Sequence, residues 1–157
     1  MSLDLPANAL GIDFGTSNST VGWLRPGAPT LLPLEEGKIT LPSVLFFNYE
    51  ERHSVFGRLA LHEYLEGYEG RLTRSLKSLL GSKLLKSETT VLGSAVPFKQ
   101  ILGLFIAELK QRAEVIAERP FEQVVLGRPV FFVDDDEKAD KEAADTLEGV
   151  AKSIGFK

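Results

Sequence analysis

The run Leu10-Gly11-Ile12-Asp13-Phe14-Gly15-Thr16-Ser17-Asn18-Ser19-Thr20-Val21-Gly22-Trp23 limits what this chain can fold into more than any other stretch. Two apolar segments flank a short centre of glycine and hydroxyl side chains, the pattern of a strand, a tight turn and a second strand. Gly15 is the residue expected to supply a positive φ if the turn needs one. Asp13 closes the first strand, and Gly15 to Asn18 carry so little side-chain bulk that several backbone N–H groups can converge on one anion. A carboxylate beside such a cradle would repel a bare phosphate, but it can hold Mg²⁺ through the ion's water shell. The pairing therefore indicates phosphate together with a divalent metal. The same residues are also compatible with a Gly-Thr-Ser-Asn turn that binds nothing.

Composition narrows the setting. A length of 157 residues suits one compact domain with a real core, or one lobe of something larger. A quarter of the residues are charged and the net charge is only −4, which indicates neither a disordered acidic tail nor a nucleic-acid-binding surface. The absence of cysteine excludes a disulfide framework and thiolate zinc sites, and the two histidines are too few for a His-rich metal site. No apolar run approaches the roughly 20 residues that span a bilayer. The expectation is a cytoplasmic protein without membrane or nucleic-acid partners. Met1-Ser2-Leu3 resembles an expression-vector leader.

After the hairpin, Arg25 to Pro29 reads as a turn and Thr30 to Leu34 as a short strand, with Glu35 to Lys38 turning the chain back. Ser43 to Phe47 is rich in β-branched and aromatic residues and reads as a strand starting just after Pro42. Ser54 to Gly57 is a brief strand leading into an amphipathic helix that carries Leu59, Leu61, His62 and Leu65, with His62 as a surface or packed imidazole. These early strands predict an antiparallel meander. Gly70 to Gly81 is a basic amphipathic segment, with Arg71, Arg74 and Lys77 opposite Leu76, Leu79 and Leu80. Thr89 to Leu92 is a further strand candidate. Pro97 suits the first residue of the longest helix, in which Ile101, Phe105, Leu109, Ala113 and Ile116 form the apolar stripe and Gly103 marks a close helix contact. Gln123 to Leu126 reads as a buried strand running through Gly127-Arg128-Pro129 into Val130 to Val133. Asp134-Asp135-Asp136-Glu137 reads as the acidic start of a last helix rather than a metal site, since Asp is a good N-cap. That helix turns Ala139, Ala143, Leu147, Val150, Ala151 and Ile154 inward and stops at Gly155. The order implies a mixed sheet with helices against it.

The phosphate loop lacks the Gly-Lys-Ser/Thr of a P-loop and the Gly-x-Gly-x-x-Gly of a dinucleotide fold, and it joins strand to strand. Strand, Asp-x-Gly-Thr, strand resembles the first phosphate loop of the actin-like ATPase superfamily. Ile12-Asp13-Phe14-Gly15-Thr16-Ser17-Asn18-Ser19 resembles the Ile-Asp-Leu-Gly-Thr-Thr-Asn-Ser opening of seventy-kilodalton heat-shock (DnaK-type) chaperones. Thr40-Leu41-Pro42-Ser43-Val44, after the turn at Glu36-Gly37, is similar to that family's Thr-Pro-Ser segment. Leu76-Lys77-Ser78-Leu79-Leu80-Gly81 is similar to its Lys-Arg-Leu-Ile-Gly run. The three motifs occur in the family's order, and the resemblance covers nearly the whole chain.

The resemblance implies an α/β fold, the actin-like (ribonuclease H-like) N-terminal lobe of an ATPase domain, with a mixed β-sheet and flanking helices. It implies ATP/ADP and Mg²⁺ as cofactors. Asp13 would hold the water-coordinated metal, Gly15, Thr16, Ser17 and Asn18 would contact the β-phosphate side, and Lys77 would position the γ-phosphate and attacking water. Taken without the resemblance, Lys77 is one more exposed basic residue. Unfolded polypeptide clients, a J-domain protein and a nucleotide exchange factor are the implied partners. Two departures stand out. Gly127-Arg128-Pro129 replaces the family's Val-Pro-Ala and marks a divergent branch. No motif for the family's second phosphate loop or adenosine pocket follows. The expectation is thus residues 4–157 as one lobe of a divergent chaperone, without a second lobe or peptide-binding domain, inactive alone and inclined to self-associate. The rival readings are a small-molecule kinase of the same fold and a non-hydrolysing filament or scaffold protein.

Overall fold

The computed structural model describes residues 9–127 and 135–157. Its central sheet has four strands among the described residues. Strand β1 (Ala9–Phe14) pairs antiparallel with β2 (Asn18–Gly22), which pairs antiparallel with β3 (Leu41–Pro42). On its other side β1 pairs parallel with β9 (Gln123–Gly127). The mixed sheet expected from the order of elements is present.

The chain leaves this sheet at Ser43 and Val44 and builds a second one. Strands β4 (Leu45–Asn48), β5 (His53–Phe56) and β6 (Gly70–Thr73) lie in the order β5-β4-β6, with helix α1 (Gly57–Leu65) following β5. The predicted meander is therefore divided between two sheets. The break falls where Pro42 cannot donate to a ladder, and the Val44 N–H folds back onto the Pro42 carbonyl at 2.8 Å. Strand β4 is buried throughout because its alternate residues enter different cores: Leu45 and Phe47 join the main one, Phe46 joins Val55 and Ala60 under α1.

Thr30 to Leu34 contributes only an isolated bridge from Leu31 to Gly22, although Trp23 N–H donates to the Thr30 carbonyl and Leu32 N–H to the Val21 carbonyl. Pro33 has no N–H to continue the pairing. The segment Gly70 to Gly81 does not form one basic face either. Arg71 lies on β6, Ser75 breaks the chain at φ 52, and Leu76–Gly81 is a 3-10 helix, followed by another at Lys83–Lys86. A hairpin of β7 (Glu88–Val91) and β8 (Ser94–Pro97) leads into α2 (Phe98–Ala117), where Pro97 is the N-cap and the helix begins one residue after the predicted start.

Helices α2 and α3 (Glu137–Ser153) cover one face of the central sheet. Leu10, Ile12 and Phe14 of β1 meet Ile101, Phe105 and Leu109 of α2 and Leu147 and Val150 of α3, and the Phe14 and Phe105 ring centroids are 5.8 Å apart. Leu102 and Ile106 widen the α2 stripe, whereas Ile116, expected inward, is 37% exposed near the helix end. Strand β9 corrects a second expectation. It pairs only with β1 among the described residues, so its apolar run lies at an edge and Val125 is 48% exposed. Asp136 caps α3, accepting from Ala139 N–H at 2.9 Å. Met1 to Leu3, Arg128-Pro129, Val130 to Val133 and Asp134 lie outside the described residues. His62 is a surface side chain, and it is His53 that has a close partner, Glu63 at 2.9 Å.

Two glycines predict opposite responses to alanine. A Cβ on Gly103 would meet only Val150 Cγ1, at 3.8 Å, so Gly103→Ala should stabilise by about 0.5–1 kcal/mol through helix propensity. A Cβ on Gly70 would run into the Phe47 carbonyl oxygen and sit 2.7 Å from the Phe46 ring, so Gly70→Ala should cost about 1–3 kcal/mol. Urea midpoints at constant slope check both signs.

Candidate functional site

Alternation along β1 decides which side chains reach the surface. With Leu10, Ile12 and Phe14 committed to the core, Asp13 is turned to the opposite face and is exposed. It lies between Thr20 on β2 and Gly127 on β9. A Cβ on Gly127 would stand 3.8 Å from Asp13 Oδ1, so the bare glycine leaves the carboxylate open on that side. Asp13 accepts no hydrogen bond and forms no ion pair among the described residues.

The hairpin tip follows at once. Gly15 is half-buried, while Thr16, Ser17 and Asn18 are exposed. Gly15 does not have the positive φ that the sequence allowed. Its requirement is a close approach: a Cβ there would run into the Asn18 carbonyl oxygen. The carbonyls of the tip turn inward. Ser43 Oγ donates to the Gly15 carbonyl at 2.8 Å, and Ser43 N–H donates to the Ser17 carbonyl at 3.0 Å. The Thr16 and Ser17 N–H groups donate to no acceptor among the described residues. Amides without acceptors among the described residues, exposed hydroxyl residues and an exposed carboxylate therefore follow one another along the hairpin tip, which is the donor set an Mg²⁺-phosphate group needs.

Ser43 reaches the loop because β3 runs along the start of β2, with Asn18 opposite Pro42 and Ser19 opposite Leu41. The segment before it is tied down separately. Arg58 donates to the Thr40 carbonyl at 2.7 Å and to Thr40 Oγ1 at 2.8 Å, and pairs with Glu35 at 3.1 Å. The Glu35 carboxylate, 8% exposed, also accepts from Arg58 N–H at 2.9 Å and so caps the start of α1. Ser19, Glu35, Ser43 and Arg58 were given no place in the site by the sequence reading. The one available signal for Ser43 was its place in the Thr40 to Val44 motif.

Lys77 stands apart from this cluster. It is half-buried on the 3-10 helix Leu76–Gly81, whose Leu76 and Leu80 enter the same core as Phe14. No hydrogen bond or ion pair joins Lys77 to Asp13 or to the loop. No group of three or more His, Asp or Glu side chains is arranged to hold a metal among the described residues. The described helices include none long and apolar enough to cross a membrane. Three grooves lie along α2 and α3 and between β9 and α3, lined by residues such as Leu104, Val150 and Leu126, and the loop lines none of the three. The side chains of the candidate site, Asp13, Thr16, Ser17 and Asn18, are exposed.

Comparison with protein families gives a match to the model described as Hsp70 protein over residues 9–99. The matched stretch holds the hairpin, the β3 segment that braces it and the 3-10 helix of Lys77, and it is more than half of the chain. Together with a mixed sheet and helices packed on it, this makes the fold that of an actin-like ATPase N-terminal lobe, and the chain belongs to the Hsp70 family of ATP-binding chaperones.

Proposed function

We propose that this chain is the N-terminal, ribonuclease H-like lobe of an ATP-binding domain, spanning residues 4–157, and that the hairpin tip grips the phosphates of ATP or ADP with Mg²⁺. The observation that carries the reading is the pairing of amides at Thr16 and Ser17 with the exposed carboxylate of Asp13, none of which has a partner among the described residues. Thr16 and Ser17 would donate N–H and hydroxyl protons to phosphate oxygens, with Gly15 giving the backbone room to approach and Asn18 adding a side-chain amide. Asp13 would accept from the metal's water ligands. When bound, Mg²⁺ neutralises charge on the phosphate oxygens.

The role proposed for Lys77 is to position the γ-phosphate and attacking water. Its ammonium makes no ion pair among the described residues, so the charge is available to a ligand. The loop is an open surface, and the ribose and base need an enclosing wall, which a second lobe would supply. The resulting cytoplasmic ATPase would act on unfolded polypeptides with a J-domain protein and an exchange factor, as family membership supports.

Three outcomes test this reading. The 157-residue chain should bind Mg-ATP only at millimolar strength or weaker, because an open half-site leaves phosphates competing with water for the same donors. Amide shifts in an NMR titration should be confined to the tip, and micromolar binding by a monomer, measured with light scattering on the same sample, would contradict the half-site.

Asp13→Asn keeps the shape and removes the charge. It should weaken nucleotide binding in Mg²⁺ more than in EDTA. Equal weakening in both would reduce Asp13 to a structural part of the hairpin. In the full-length protein, Lys77→Ala should slow single-turnover hydrolysis by at least about a hundredfold with ATP affinity within a few-fold, since the lost interaction belongs to the transition state. Unchanged turnover would remove Lys77 from the mechanism.

A further inference from the structure

We propose that Ser43 is a positioning residue that sets the direction of the loop amides, through a hydroxyl chain running from Ser19 to Ser43 to the Gly15 carbonyl. The proposal rests on the phosphate-binding reading of the hairpin tip.

Proton counting fixes the direction of the chain. A serine hydroxyl has one proton and two lone pairs. The Ser43 proton is committed to the Gly15 carbonyl at 2.8 Å, because a carbonyl can only accept. The 2.9 Å contact between Ser19 Oγ and Ser43 Oγ must then use the Ser19 proton, with Ser43 accepting. Both serines are 0% exposed, so water does not compete for either hydroxyl. In such a chain each bond polarises the next, which strengthens the final bond to Gly15.

Peptide planarity carries the effect to the surface. No described peptide bond is cis, so each carbonyl points opposite to the N–H of the following residue. The Gly15 carbonyl, drawn inward by Ser43 Oγ, shares its plane with the Thr16 N–H, which is thereby turned away from Ser43. The Ser17 carbonyl, held by Ser43 N–H at 3.0 Å, does the same for the Asn18 N–H. One buried residue thus orients two peptide planes of the cradle, and Thr16 N–H is the one whose direction depends on the hydroxyl. Ser43 is in turn held in place by β3 and by the Arg58 bonds to Thr40. Without the hydroxyl, the Gly15–Thr16 peptide loses the bond that fixes its tilt, and the amide has to be ordered at the moment a phosphate arrives.

Ser19→Ala and Ser43→Ala separate this role from general support. Each removes one buried hydroxyl from the same spot, so a purely structural role predicts similar consequences. The positioning role predicts different ones, because Ser19→Ala leaves the Ser43 bond to Gly15 in place. In the ligand-free chain, Ser43→Ala should shift or broaden the Thr16 amide resonance and speed its hydrogen exchange, while Ser19→Ala leaves both near wild type. In the full-length protein, Mg-ADP affinity read by calorimetry should fall about tenfold in Ser43→Ala and stay within about twofold in Ser19→Ala. Ser43→Thr, which keeps the hydroxyl, should restore the Thr16 amide signature. If the alanine variant does not fold, Ser43→Cys has nearly the same shape and only a weak donor, and should show the same Thr16 changes. An unmoved Thr16 amide in Ser43→Ala or Ser43→Cys, or equal effects from Ser19→Ala, would overturn the proposal. A full-length protein that binds no Mg-ADP would overturn the phosphate reading, and the ligand-free amide comparison would still decide whether Ser43 sets the loop.

Discussion

The direction of two backbone carbonyls at the tip of the β1–β2 hairpin governs the rest of this site. The Gly15 and Ser17 carbonyls point into the protein, where Ser43 satisfies both. Had they pointed outward, the surface beside Asp13 would present oxygens and repel an anion. Two inward carbonyls turn it into a surface of N–H groups instead, without any basic side chain in the loop. Buried carbonyls require partners, so the residue that supplies them is as much a part of the loop as the glycine and hydroxyls that name it.

That residue is held by a second layer of constraints. The Glu35 carboxylate draws together Arg58, the first N–H groups of α1 and, at 4.0 Å, Arg112 of α2. Arg58 also binds both oxygens of Thr40, two residues before Pro42. A nearly buried charge network of this kind is costly to desolvate and costly to break, so its contribution is to hold one geometry rather than to add stability. It joins the corner between the two sheets to the helix that carries the smaller core. The hairpin tip is therefore braced from below by a serine and from the side by an ion pair, while β1 is anchored in the main core through Phe14 and Phe105.

Much of the architecture was legible in the residues. Period-two alternation in Leu10 to Phe14 set Asp13 outward, the recurrence of Ile101, Phe105, Leu109 and Ala113 located α2, and Asp136 marked the start of α3. Three things were not. The meander divides at Pro42 into two sheets, because strand propensity is local and does not say which neighbour a strand will pair with. The run Gln123 to Leu126 looked buried because apolar β residues were read as central, whereas among the described residues β9 has a partner on one side only. The basic segment from Arg71 to Lys77 looked like a single face, but the left-handed turn at Ser75 places its charges on two different elements.

The sequence by itself determined the family, the hairpin and the chemistry offered at its tip, because those depend on residue types at short spacing: a carboxylate that ends a strand, a glycine, three small polar side chains. The tertiary structure alone decided which way that chemistry faces. Ser43 is 28 residues from Gly15 in the chain, and its hydroxyl meets the Gly15 carbonyl only because β3 lies along β2 in one register. Gly15 itself was chosen by the closeness of the Asn18 carbonyl, not by a positive φ. Leu76 and Phe14, the neighbours of Lys77 and Asp13, share a core, but no hydrogen bond or ion pair joins the lysine to the aspartate, since a 3-10 helix fixes the lysine's backbone and leaves its long side chain to be ordered by whatever it meets. Hydrogen-bond direction and approach distance are properties of paired segments, and no pattern within one segment encodes them.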